Sequence, residues 1–120
     1  MTNTIKVMSW NANGLLNHQQ ELQVILDINR IYVCLISETH FTKQPFIKFR
    51  GYKVYHTIHP ENSAKGGSAI IVRENISHHG ESKFEAEDIQ AIQINVKTRN
   101  DNITVVSLQS PLKHNIKCKR

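Results

Sequence analysis

The chain has little sulfur. Two cysteines in 120 residues, Cys34 inside an apolar run and Cys118 in a basic tail, make no disulfide framework and suit a reducing compartment. No apolar stretch reaches the length of about 20 residues that a membrane helix requires, and the N-terminus carries no secretory apolar segment. A soluble intracellular protein with no membrane partner is therefore expected. Low-complexity tracts, internal repeats and linkers are missing too, so residues 1–120 are expected to hold one domain at most. Acid is the scarcer charge: 15 Lys and Arg against 10 Asp and Glu leave a net charge of +5. That excess favours an anionic partner such as nucleic acid, although outside the tail from Lys113 to Arg120 it forms no dense patch.

Several chemistries also lack their motif. No Gly-x-Ser-x-Gly occurs and neither cysteine stands by a plausible histidine base, which leaves covalent hydrolysis with little support. Gly66-Gly67 lacks the lysine-serine pair of a Walker loop and the dinucleotide spacing, so it is not read as a phosphate cradle. His78-His79 with Glu81 has no second ligand pair at a recognised spacing, and a polar loop is expected there rather than a metal site.

What is present is organised around Ile31-Tyr32-Val33-Cys34-Leu35-Ile36. Six apolar or aromatic residues, rich in β-branched types and too few for a helix, predict a strand buried on both faces. The run stops on Ser37-Glu38-Thr39-His40. Strand ends of open α/β sheets face a crevice where ligands bind, which makes Glu38 a candidate site residue. The plainer alternative is a solvated glutamate at a strand end.

Upstream, Ile5 to Trp10 alternates as a strand and runs into the turn composition Asn11-Ala12-Asn13-Gly14. Asn17, with Gln20 three residues on, has the spacing of a capping box. Leu22, Ile25 and Leu26 give an apolar stripe to a helix of roughly Gln19 to Asn29. Strand, helix and strand make a βαβ unit with parallel strands. If those strands are neighbours, Asn11 and Glu38 end on the same edge and face one crevice.

Beyond Glu38 short strands and turns take over. Thr39 to Arg50 reads as a polar loop carrying Pro45, and Gly51 to His56 as a strand. Pro60 to Gly67 reads as a loop, followed by a strand from Ser68 to Val72. Ile92, Ile94 and Val96 alternate with polar residues as a half-buried strand. Arg99 to Asn102 turns the chain into a last strand, Ile103 to Leu108. One βαβ unit followed by mostly antiparallel strands predicts an α+β fold or a layered α/β/β/α sandwich.

Three stretches, in order and at family spacing, carry a resemblance: Ser9-Trp10-Asn11-Ala12-Asn13-Gly14-Leu15, Leu35-Ile36-Ser37-Glu38-Thr39-His40 and Gly66-Gly67-Ser68-Ala69-Ile70-Ile71-Val72. Together they resemble the opening half of the endonuclease/exonuclease/phosphatase superfamily. More narrowly, the stretch from Cys34 to Gln44 and the strand Gly51 to His56 are similar to the endonuclease domain of jockey-like non-LTR retrotransposons. The likeness runs over about residues 5 to 116. It implies a DNase-I-like α/β fold, residues 1–120 forming the N-terminal half of a four-layer sandwich. It also implies DNA nicking with a divalent ion, Mg²⁺ or Mn²⁺, the nick priming reverse transcription within a larger polyprotein that acts in the nucleus. Glu38 matches the family's metal-binding glutamate and Asn11 its asparagine at the first strand's end, both in the catalytic and metal set. Asn13 stands near the metal and the scissile phosphate, where relatives often carry aspartate, a substrate-binding place. A phosphatase within the superfamily is disfavoured by the jockey-like loops.

The sequence departs from that pattern twice. The strand that in the family ends in tyrosine-x-proline reads Leu108-Gln109-Ser110-Pro111 here, which puts Gln109 at a degenerate active-site position. The family's later Asp-x-Asn motif, further aspartate and Ser-Asp-His have no counterpart before Arg120. The expectation is a fragment inactive by itself, binding its ion weakly and only marginally folded. The competing expectation is a non-catalytic remnant that serves as a weak basic nucleic-acid-binding module.

Overall fold

The computed structural model describes residues 5–42, 47–61 and 65–110. Part of the expected loop from Thr39 to Arg50, including Pro45, and the basic tail with Cys118 lie outside the described residues. In chain order come β1 (Val7–Asn11), a 3₁₀ turn (Leu15–His18), α1 (Gln19–Ile28), β2 (Val33–Ser37), β3 (Tyr52–His56), β4 (Ser68–Arg73), β5 (His78–Glu85), β6 (Gln90–Lys97) and β7 (Asn102–Gln109). They form a four-stranded sheet ordered β1-β2-β4-β3 and a three-stranded sheet ordered β5-β6-β7. The first three elements close the expected βαβ unit: β1 lies beside β2 in parallel, with Asn11 opposite Ser37. Every other pairing is antiparallel.

Side-chain alternation divides the core in two. One face of the first sheet meets α1, whose Leu22 and Leu26 join Leu15, Cys34, Ile36, Phe41 and Ile71 in one cluster. The other face meets the second sheet through Val33, Ile70, Val72, Ile92, Ile94 and Val96. β2 and β4 thus have apolar side chains on both faces, as their unbroken runs require. Burying each such side chain contributes about 1.5–3 kcal/mol. Burial also pushes the Cys34 thiol up to about 12, which keeps it protonated and unreactive.

Four local expectations are corrected. β1 starts two residues later than Ile5 and runs through Asn11, so Asn11 is the strand's last residue and not part of the turn. No side chain caps the N-terminus of α1. Asn17 lies inside the 3₁₀ turn that feeds the helix, so it does not form a capping box with Gln20. Ile25 is 40% exposed, because it lies to one side of the line from Leu22 to Leu26 that meets the sheet. Finally, His78-His79 is not a loop but the start of β5. His78 faces the first sheet, where its Nε2 lies 2.7 Å from the Tyr55 hydroxyl. The strand bulges after His79, near Gly80 with φ 74°, and its polar residues conceal the alternation that would announce it.

The chain covers β2 with its own residues, whereas the described residues leave the outer face of the second sheet open. Phe84, Ala91 and Leu108 stand in register across it, with Phe84 and Leu108 more than half exposed. Among the described residues no helix lies over this face, and those residues supply three of the four expected layers. No helix of the described residues is long and apolar enough to cross a membrane. The exposed row is expected to bind a hydrophobic dye. Replacing Phe84 and Leu108 by serine should at least halve the dye fluorescence of the chain, and an unchanged signal would place the dye elsewhere.

Candidate functional site

The end of the first sheet is where the polar residues gather. Three strand-end residues, Asn11, Ser37 and Ser68, stand in register across β1, β2 and β4. Between the sheets the aliphatic filling gives way here to the buried side chains of Thr57, Ser68, Gln90, Ser107 and Gln109. All five are uncharged donors and acceptors that can pair with one another and with backbone, which is how polar groups survive burial.

The loop after β2 is fixed on three sides. Its carbonyls face the loop after β1: Ala12 donates to the Ser37 oxygen, Gly14 to that of Glu38 and Leu15 to that of Thr39, at 2.8–3.0 Å. Its N–H groups face away from that loop. Thr39 donates to the Gly67 oxygen at 3.2 Å and His40 to that of Gly66 at 2.9 Å. Glu38 donates to the side-chain oxygen of Gln109 at 2.7 Å. This arrangement needs a backbone that turns at alternate residues. Glu38 and His40 both take positive φ, 54° and 58°, a conformation that costs a side-chain-bearing residue about 1 kcal/mol and persists where surrounding bonds hold it.

The result presents the Glu38 carboxylate at the sheet edge, partly exposed. Asn11 Nδ2 donates to Glu38 Oε2 at 2.6 Å, and His40 Nε2 lies 3.7 Å from Oε1. Asn11 Oδ1 in turn accepts the Asn13 N–H at 3.2 Å, inside a turn where Asn13 has φ 47°. Glu38 and Asn11 therefore meet, as the strand-end geometry predicts, and the Asn13 N–H joins them through the Asn11 side chain. Gln109 lies with them but is 5% exposed. It sits behind Glu38 as a support.

Two contributors went unread in the sequence. Gln90 is fully buried and accepts the Gly67 N–H at 2.9 Å, while its amide nitrogen donates to Ala86 and Glu87. Gly67 thus spends its N–H inside the protein, consistent with its rejection as a phosphate cradle. His40 was visible only as part of a motif. A lone glutamine at the start of a strand carries no periodic signal, whereas a histidine two residues after Glu38 could have been noticed.

The oxygen donors offered are one carboxylate and one amide carbonyl, hard ligands of the kind Mg²⁺ accepts when waters or phosphate complete its shell. Among the described residues no group of three or more His, Cys, Asp or Glu could hold a metal ion. The donor set fits a largely hydrated ion and not a caged one.

Buried polar support between two sheets, behind a carboxylate at a parallel strand's end, defines a two-sheet α/β sandwich with a polar strand-end site. A profile of the endonuclease/exonuclease/phosphatase family matches residues 8–113, and the chain belongs to that family. It is 32% identical over 108 residues to the RNA-directed DNA polymerase from mobile element jockey of Drosophila melanogaster. That match takes in 90% of this chain but 12% of the relative. The probable RNA-directed DNA polymerase from transposon BS of the same fly is 26% identical over 98 residues, covering 80% of this chain and 11% of the relative. Among solved structures, the endonuclease domain of TRAS1, a telomere-specific non-LTR retrotransposon, has a TM-score of 0.61 at 22% identity, covering 86% of this chain and 44% of that one. The Xenopus laevis APE2 catalytic domain has a TM-score of 0.64 at 16% identity, covering 88% and 44%. Both share the two-sheet fold.

The glycine pair offers a direct test of how this edge is packed. Gly67 has φ 88°, and a Cβ there would run into Thr39 Oγ1, a side chain 1% exposed. Gly51 has φ 82° with open space around it. Gly67→Ala should lower unfolding free energy in urea by about 2–3 kcal/mol and Gly51→Ala by about 1. Equal losses would mean that Thr39 yields freely.

Proposed function

We propose that the chain is the N-terminal half of a divalent-metal-dependent DNA endonuclease domain from a jockey-like non-LTR retrotransposon. The observation that carries this reading is the Glu38 carboxylate held by Asn11 at the sheet edge, in a chain of the endonuclease/exonuclease/phosphatase family. The similarity to the jockey polymerase supports the narrower assignment, and the nick would serve to prime reverse transcription. Acting on DNA as part of a larger polyprotein, it would work in the nucleus.

Glu38 and the Asn11 side-chain oxygen would hold the ion, with Asn13 beside the scissile phosphate. When bound, Mg²⁺ or Mn²⁺ would supply orientation of the phosphodiester and stabilisation of the charge that grows in in-line displacement. The protein's own contribution is positional. The Asn11 amide keeps the carboxylate from turning away, and the backbone bonds of Glu38, Thr39 and His40 prevent the loop from relaxing. In-line displacement also needs a group that activates water and one that protonates the leaving oxygen. The aspartate and histidine motifs that supply them in the family are not among these 120 residues.

Two outcomes follow. Supercoiled plasmid incubated with the purified chain and excess Mg²⁺ should stay supercoiled, and open circles made by the chain but not by a Glu38→Ala variant would refute inactivity. Calorimetric titration should give a Mg²⁺ constant of about 1 mM or weaker, as expected with a single carboxylate. A micromolar constant lost in Glu38→Gln would reveal further ligands. The net charge of +5 favours a second reading, a basic nucleic-acid-binding module without catalysis. DNA retention in a gel that Glu38→Gln leaves intact, with no Mg²⁺ binding, would support it.

A further inference from the structure

Gln109 takes the place at which the family resemblance puts a tyrosine, yet its side chain is neither solvent-facing nor idle. Its Oε1 receives the Glu38 N–H across the gap between the sheets, 71 residues away in sequence, at 2.7 Å. Glu38 is the residue whose left-handed backbone turns the chain at the site, and its carbonyl is already bound by Gly14. The Gln109 bond fixes the other side of the same residue. One β7 neighbour helps: Ser107 donates to the Ile36 carbonyl at 3.0 Å, so the end of β7 is registered on the end of β2 by two bonds. Gln90, opposite Gln109 in the β6-β7 ladder, makes the matching bond to Gly67, and its side chain otherwise bonds to Ala86 and Glu87.

We infer that Gln109 is a positioning residue: its amide oxygen holds the left-handed turn at Glu38 and so keeps the Glu38 carboxylate on Asn11. A glutamine suits this task because its carbonyl oxygen is a pure acceptor, matched to a backbone N–H. The glutamine then has a task of its own at the position where the resemblance puts a tyrosine. The inference rests on the reading of Glu38 as the metal-holding carboxylate only where metal affinity is the readout. The hydrogen-bond readout does not need it.

The test uses the full chain and three variants. Gln109→Leu removes the acceptor at similar volume, Gln109→Met does so with an unbranched side chain should leucine unfold the chain, and Gln90→Leu removes the sister bond as a control for general loosening. In nuclear magnetic resonance spectra, the Asn11 side-chain amide should show the shift of a charge-bound donor in the parent chain and in Gln90→Leu. It should return to the solvent-exposed value in Gln109→Leu. Amide exchange at Glu38 should quicken at least tenfold in Gln109→Leu alone. Binding of Mn²⁺ by itself, followed by its paramagnetic resonance signal, should weaken about tenfold in Gln109→Leu, the change that one lost hydrogen bond brings. An Asn11 signal that persists in Gln109→Leu would overturn the positioning role, as would equal losses in Gln90→Leu. If Gln109→Leu unfolds, Gln109→Met is read in its place, and an Asn11 signal that persists there would overturn the role. Absence of Mn²⁺ binding in the parent chain, with the Asn11 signal behaving as expected, would refute the metal reading and leave Gln109's role standing.

Discussion

Everything at the polar end of this molecule depends on how the backbone spends its hydrogen bonds between Ser37 and His40. Past the end of β2 there is no ladder to join, and an extended strand would leave buried N–H and C=O groups unpaired at a cost of about 1–3 kcal/mol each. The chain solves this by turning at Glu38 and again at His40. Carbonyls then reach the loop after β1, and N–H groups reach Gly66, Gly67 and Gln109. One peptide segment is thereby tied to two neighbouring loops and to the opposite sheet.

That constraint has consequences for the side chains. Turning at Glu38 points a carboxylate at Asn11 instead of along the strand, and turning at His40 brings its imidazole back towards the same carboxylate. Thr39, between them, is driven inward against Gly67. A glycine is required there for two reasons, its positive φ and the absence of room for a Cβ. The site is rigid for the same reason that it is strained: the surrounding bonds hold it in a conformation that it would not choose alone.

The two ends of the sandwich differ in kind. Away from the site the sheets are joined by Val33, Val72, Ile94 and Val96, whose attraction is strong but without direction. At the site they are joined by Ser68, Gln90, Ser107 and Gln109 through directed bonds. The aliphatic end holds the layers together. The amide and hydroxyl end sets their register to within the tolerance of a hydrogen bond.

The sequence by itself determined the βαβ unit, the doubly buried strand and the meeting of Asn11 with Glu38. Those features follow from local periodicity and from the short reach of a strand-helix-strand crossover, so they are written in consecutive residues. It also placed the chain in its family through three ordered motifs. The boundary of β1, the bare N-terminus of α1 and the strand nature of His78 to Glu85 were decided by packing, because each depends on partners distant in sequence. The role of Gln109 belongs to the same class. A single amide oxygen has no period and no spacing, and only the stacking of β7 on β2 brings it to the Glu38 N–H.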